Sequence, residues 1–198
     1  VSGTITDTSG RRMSGVSVEA SGGGPSAVAT TNADGLYTLR GLVPGQWTIT
    51  PSKDGYSFKP ESQVVDVQGA VTGTDFVGVP IYQVSVGSGL TFIALPLEPE
   101  DNKPLSVFGS LATYRYDPTG INTETGRAGY VAAQNRPDSA FMQVRPGRGF
   151  WVRGTARTLS VPGTPVPNTQ TAYLQLNDGW NMVGNPYTAS LPWANVGV

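Results

Sequence analysis

The sequence predicts an all-β protein of two modules, a seven-stranded sandwich over residues 1–79 and a second antiparallel β domain over residues 80–198. Three observations predict it. Apolar residues alternate with polar ones in short runs, the period of a half-buried strand. The 26 glycines and 16 prolines, about a fifth of the chain, fall between those runs as turns rather than in a low-complexity tract. No stretch of the first module has the pattern of a credible helix, and many short strands in little chain indicate two packed sheets.

The elements follow in order. Val1, Gly3 and Ile5 alternate with Ser2, Thr4 and Thr6 as a first strand, closed by the polar stretch Asp7 to Ser14. Val16, Val18 and Ala20 share one face of the second strand, and Gly22-Gly23-Gly24-Pro25 ends it as a loop. Ala27 to Thr31 and Leu36 to Leu39 flank Asn32-Ala33-Asp34-Gly35, which reads as a hairpin turn because glycine accepts positive φ at no steric cost. Gln46 to Thr50 carries Trp47 and Ile49 on one face. Lys53-Asp54-Gly55-Tyr56 reads as a loop, and Gln63 to Val67 and Thr72 to Val77 complete the seven strands.

These residues carry a resemblance. Val1-Ser2-Gly3-Thr4-Ile5-Thr6-Asp7, Ser14-Gly15-Val16-Ser17-Val18, Thr31-Asn32-Ala33-Asp34-Gly35-Leu36-Tyr37 and Gly41-Leu42-Val43-Pro44-Gly45-Gln46-Trp47-Thr48-Ile49 succeed one another in order. As a set they resemble the carboxypeptidase regulatory-like domains, transthyretin-like (Ig-like) sandwiches related to the Cna B repeats of bacterial adhesins. The resemblance implies a spacer, stalk or adhesin repeat without catalysis. Some Cna B-type domains form an isopeptide crosslink from a lysine on the first strand. The first lysine here is Lys53, and Arg11 and Arg12 cannot supply the amine, so no crosslink is expected.

In the second module Val79-Pro80 marks a short junction, and Val84 and Val86 lead into Gly89 to Leu97, a mostly apolar run that suits a strand buried on both faces. Leu111 to Tyr116 alternates with Tyr114 and Tyr116 on one side. Gly147 to Arg153, Thr158 to Val161 and Ala172 to Leu176 read as further strands, with Pro162 to Pro167 excluding helix between the last two. Residues 89–97 and 179–187 echo each other in Gly, Pro and apolar positions, which suggests a duplicated β unit. The Gly179-Trp180-Asn181 strand and Gly147-Arg148-Gly149-Phe150-Trp151-Val152 also resemble a β module found near the ends of large secreted bacterial proteins. The first copy departs from that pattern at Gly89-Leu90-Thr91. Trp193 to Val198 reads as the start of one more strand, so the chain is expected to stop within a structural unit. Either further residues follow, or a terminal strand pairs with a neighbouring subunit to build a filament.

Composition narrows the function. The formal net charge of −1 gives no basic field for nucleic acid or anionic lipid, and no apolar run is long enough to span a membrane. No secretory leader precedes Val1, so a removed leader or an excised piece of a longer chain is expected. The chain has no Cys and no His, which removes disulfides, thiolate and imidazole metal ligands, and Ser-His or Cys-His nucleophile pairs. Charged residues are only 14%, leaving a surface of Ser, Thr, Asn and Gln that suits an extracellular protein.

No nucleotide, hydrolase-elbow or zincin motif is present. Glu98, Glu100, Asp101 and Asn102, or Asn32 and Asp34, supply oxygens of the kind Ca²⁺ takes, but without EF-hand spacing they read as solvated turns. Trp151, Trp180, Trp193, Tyr114, Tyr116, Tyr130 and Tyr173 concentrate in the second module, where rings either pack in the core or stack on sugars. The reading is a non-catalytic structural or adhesive module, extracellular or at the cell surface, with no catalytic, cofactor or metal residues assigned. Its expected partners are protein, through self-assembly or neighbouring domains, and surface polysaccharide. The alternative is an accessory, carbohydrate-binding region of a larger secreted hydrolase.

Overall fold

A computed structural model describes residues 1–122, 127–176 and 181–192, which divide into two units, Val1–Ile81 and Tyr82–Val198. It is all-β, with several antiparallel sheets, as the alternating runs require.

The first unit has two sheets. One contains β6 (Tyr56–Lys59), β8 (Phe76–Val86), β1 (Ser2–Asp7) and β4 (Leu36–Thr38) in that order, with β8 counted only to Ile81. The other runs β3 (Ala27–Thr30), β2 (Ser17–Ser21), β5 (Gly45–Ser52), β7 (Gln63–Val67). The core holds the residues that alternation aims inward: Ile5, Val18, Ala20, Trp47 and Ile49 are buried, joined by Tyr37, Phe58 and Phe76. The Trp47 indole N–H donates to the Val43 carbonyl at 3.0 Å, so its polar edge is satisfied. Tyr37 donates its hydroxyl to the Thr74 carbonyl at 2.6 Å, and burial first, then the charge of Asp75, push the phenol's pKa well above its usual value.

β1 and β8 are parallel neighbours, with Ile5 opposite Phe76, Thr6 opposite Val77 and Asp7 opposite Gly78. The earlier half of β1 is tied to the segment before β8: Ser2 donates to Val71, Thr74 donates to Ser2, and the Thr4 amide donates to Asp75 Oδ1 at 2.7 Å. Gly3 permits this approach, because a side chain there would run into the Thr74 carbonyl.

Two local expectations are corrected. Asn32 to Gly35 does form a turn, with Asn32 Oδ1 accepting from the Asp34 and Leu36 amides and Gly35 at φ 69°. It is not a hairpin between ladder partners, since β3 pairs with β2 and β4 pairs with β1; the turn is a corner between sheets. Tyr56, read as the end of a loop, instead opens strand β6, which pairs along β8 from Tyr56–Pro80 to Lys59–Val77.

The second unit centres on a four-stranded sheet ordered β12 (Arg127–Ala132), β11 (Ala112–Asn122), β13 (Gly149–Gly154), β9 (Gly89–Ala94). β10 (Leu97–Pro99) pairs with β14 (Arg157–Pro165), which neighbours β8, whose Tyr82–Val86 portion belongs to this unit. A short helix α1 (Pro104–Phe108) and a 3₁₀ turn (Ala133–Asn135) complete it. The core gathers Val84, Ile93, Leu95, Leu97, Phe108, Met142, Phe150 and Val152.

Here too the structure departs from expectation. Gly89 to Leu97 is not one strand buried on both faces: it breaks after Ala94, and Leu90 and Phe92 are exposed while Ile93, Leu95 and Leu97 are buried. β14 continues through Pro162 to Pro165, because its ladder with β10 closes around Gly163, where a side chain would meet the Glu98 carbonyl. Ala172 to Leu176 is not a strand, since its alternation finds no ladder partner among the described residues. Of the 179–187 half of the echo, Gly179 and Trp180 lie outside the described residues, and the rest contributes a single bridge from Val183 to Arg148.

Candidate functional site

Two surfaces of the second unit concentrate chemistry. The first is the outer face of the four-stranded sheet. Register places Phe92, Trp151 and Tyr114 in one row across β9, β13 and β11, and Tyr116 beside Tyr130 in the next. Adjacent residues Phe150 and Val152 point inward and are fully buried, so Trp151 must face out. Phe92 meets Trp151 edge-to-face at 5.3 Å and 71°, and Tyr116 meets Tyr130 at 5.5 Å and 71°. Such T-shaped pairs fix each other's rings while leaving ring faces open. Phe92 is 40% exposed and Tyr130 51%. Gly149 makes room for this arrangement, because a side chain there would strike the Phe92 ring.

The second surface lies behind β11. On that strand the tyrosines face outward, and Thr113, Arg115 and Asp117 face inward and are buried. Alternation alone favours the opposite choice, with rings in the core. The inversion is sustained by the segment from Ala133 to Arg148, which brings carbonyls to the inward side chains. Arg115, only 8% exposed, lies over the Phe141 ring at 4.3 Å and donates from Nη1 to the Phe141 carbonyl at 2.8 Å. Its Nε has no hydrogen-bond partner among the described residues. Arg148 donates from Nη1 to the carbonyls of Ala140, Phe141 and Gln143 at 2.8, 3.2 and 3.0 Å. Arg145 donates to Gln143 Oε1 at 2.7 Å. Asp117 is engaged by Arg136 at 3.1 Å.

Arg115, Arg145 and Arg148 border a cleft of about 340 Å³, also lined by Tyr173, Gln175 and Met182. A second cleft of about 490 Å³ shares Arg145, Pro146, Tyr173 and Leu174 with it. Burial, and then the neighbouring Arg148, push the Arg115 pKa down to about 10, against the pull of Asp117. Arg148 is likewise lowered, by burial and then by Arg145, with Glu98 opposing. The cleft therefore gathers three guanidinium groups, with Asp117 and Glu98 as the opposing charges nearby.

Of the residues singled out from sequence, Trp151, Tyr114, Tyr116 and Tyr130 come together on one face, and Tyr173, 90% exposed, stands apart beside the clefts. Trp180 and the terminal segment Trp193 to Val198 lie outside the described residues. The acidic turn is put to structural use: Asp101 accepts from the Lys103 amide and the Ser106 hydroxyl across the first turn of α1. Among the described residues no cluster of three or more acidic side chains is arranged to hold a metal ion. Lys53 donates to the carbonyls of Ser14 and Gly15 at 2.9 and 3.3 Å. Phe92 and Arg115 were not picked out from sequence. Phe92 sits in a run that reads as buried, and Arg115 lies between two tyrosines that alone draw the eye on that strand.

Residues 1–79 match the model of the carboxypeptidase regulatory-like domain. A chitinase, ChiA of Flavobacterium johnsoniae, is 36% identical over 88 residues, which is 43% of this chain and 6% of that protein. The chain thus spans a small fraction of its curated relative. Two solved structures are similar at 13% identity and TM-score 0.31. They are a streptococcal ancillary pilin, matched over 93% of this chain and 57% of its own, and a DUF3823 family protein from Parabacteroides merdae, matched over 83% and 95%. Among the described residues no helix is long and apolar enough to cross a membrane. The match to the carboxypeptidase regulatory-like domain thus spans the first unit and about two fifths of the chain.

Proposed function

We propose that this chain is a non-catalytic structural and adhesive module of a larger secreted or cell-surface protein, in which the first unit carries tension along the chain. The observation that supports this is the parallel pairing of β1 with β8, the first and last strands of that unit. In parallel neighbours the chain enters at one end of the ladder and leaves at the other. A pull along the chain then loads the ladder bonds in shear, together, instead of opening them singly. A backbone hydrogen bond contributes only about 1 kcal/mol net, so resistance depends on many bonds sharing the load. Occupancy of 6% of a relative's length fits a module placed within a long chain. Pulling on the two ends of this ladder tests the reading, with rupture at high force expected. Assembly into a filament extends the same reading, and β7, which ends its sheet with Val64 exposed, offers an edge for it.

The aromatic sheet face favours a second reading, an accessory region that holds polysaccharide for a secreted hydrolase. Ring faces stack on the C–H faces of pyranoses, and a relative that is 36% identical over 88 residues is a chitinase. Retention on affinity gels containing chitin derivatives or other neutral polysaccharides is expected to fall roughly tenfold in Trp151→Ala, the loss of about one stacked ring. Unchanged retention would count against this reading.

A further inference from the structure

We propose that the arginine cleft of the second unit binds the carboxylate of a uronate-bearing polysaccharide, an inference that rests on the adhesive reading and names its partner.

Three guanidinium groups, Arg115, Arg145 and Arg148, border one concavity. Their hydrogen-bond partners there are neutral: the carbonyls of Ala140, Phe141 and Gln143 and the side-chain amide of Gln143. The carboxylate nearest along the strand, Asp117, is engaged by Arg136, and Glu98 lines only the adjoining cleft. A cationic group held out of water without a full set of acceptors is costly to the fold. Arg115 is in that position, 92% buried by its 8% exposure and with Nε unpartnered among the described residues. An arriving carboxylate adds acceptor oxygens and negative charge beside the three arginines, and the planar guanidinium fork matches its two oxygens.

The surroundings fit a sugar as the carrier of that carboxylate. Tyr173 presents a ring that is 90% exposed at the boundary of the two clefts, suited to a pyranose face. Gln175 on one side and Gln170 and Thr171 on the other offer amides and a hydroxyl to sugar hydroxyls. The adjoining cleft gives a polymer a continuous path past Arg145, which lines both. The arrangement places one charged unit on the arginines and the next along Tyr173.

The test is calorimetric titration of the whole chain with tetragalacturonate, its methyl ester and the neutral galactose tetramer. Preference of at least roughly tenfold for the acid over both neutral forms is expected, the effect of one charge-assisted contact. Arg145→Gln, at an exposed side chain whose loss leaves the fold intact, is expected to weaken the acid by a similar factor and leave the neutral tetramer unaffected. Equal affinity for acid and ester, or no effect of Arg145→Gln, overturns the proposal. So does equal binding of dextran sulfate or of an acidic peptide, which would reduce the cleft to a general anion patch. Retention on neutral polysaccharide gels reads the adhesive function separately: retention with indifference to the uronate sinks this inference alone, and failure of both sinks the two together.

Discussion

Replacing Trp47 by alanine is expected to destabilise the first unit by about 3–5 kcal/mol, the range for deleting a large buried aromatic. Trp47 is 1% exposed and central to β5, the strand that joins β2 and β7. Its removal costs the burial of the ring, leaves a cavity against Gly23 and Gly24, and orphans the Val43 carbonyl that its indole N–H satisfies. Trp47→Phe should recover most of the packing but not the hydrogen bond, and fall between the two. Hydrogen exchange of peptides from residues 1–79 checks this, because a two-unit chain has no single unfolding free energy and needs a local probe. Protection in these peptides that is unchanged in Trp47→Ala would show that the sheets do not pack around this ring.

Phe150→Ala is expected to have a comparable effect, about 3–5 kcal/mol, on the second unit. Phe150 is fully buried on β13 and lies 5.8 Å from Phe108 on α1, so its loss removes both core volume and the contact that seats the short helix. A five-residue helix has no stability of its own. Exchange should therefore rise first over Pro104–Phe108 and then across the sheet. The neighbouring Trp151→Ala removes a half-buried ring from the outer face and should cost far less stability. A reversed order would mean that the two faces of β13 have been assigned the wrong way round.

That assignment also marks what the sequence could and could not tell. In the first unit, Trp47 and Ile49 alternate with polar residues over a solvated outer face, so period-two patterning points to the core without ambiguity. The turn at Asn32 to Gly35 was equally legible as a turn, because the αL position needs glycine. Which strands it joined was not legible. β4 finds its partner in β1, more than thirty residues away in sequence (Ser2 opposite Thr38), and local turn chemistry carries no record of that choice. β6 was missed because only Phe58 is buried within Tyr56–Lys59, and a four-residue run with one inward apolar side chain has no readable period.

The functional surfaces were harder to read. On β11 the Thr-Tyr-Arg-Tyr-Asp alternation fixes which residues share a face, but hydrophobicity argues for the wrong face as core. Arg115 and Asp117 become tolerable inside as Phe141, its carbonyl and Arg136 are brought to them by a distant segment. Ala172 to Leu176 shows the converse: its alternation is strand-like, yet without a neighbour to complete a ladder it becomes the wall of a cleft. Patterning records the preferences of one segment, and a site assembled from several segments leaves no such trace.

The claim that the first unit bears load is tested most directly by single-molecule pulling in two geometries. The chain has no cysteine, so paired Cys substitutions give unique handles. Handles at Val1 and Tyr82 load the β1–β8 ladder in shear, whereas handles at Ser9 and Tyr82 lie at the same end of that ladder and peel it open. The account predicts an unfolding force several-fold higher in the first geometry than in the second, as follows when bonds of about 1 kcal/mol each are broken together or in turn. Equal, low forces in both geometries would contradict it.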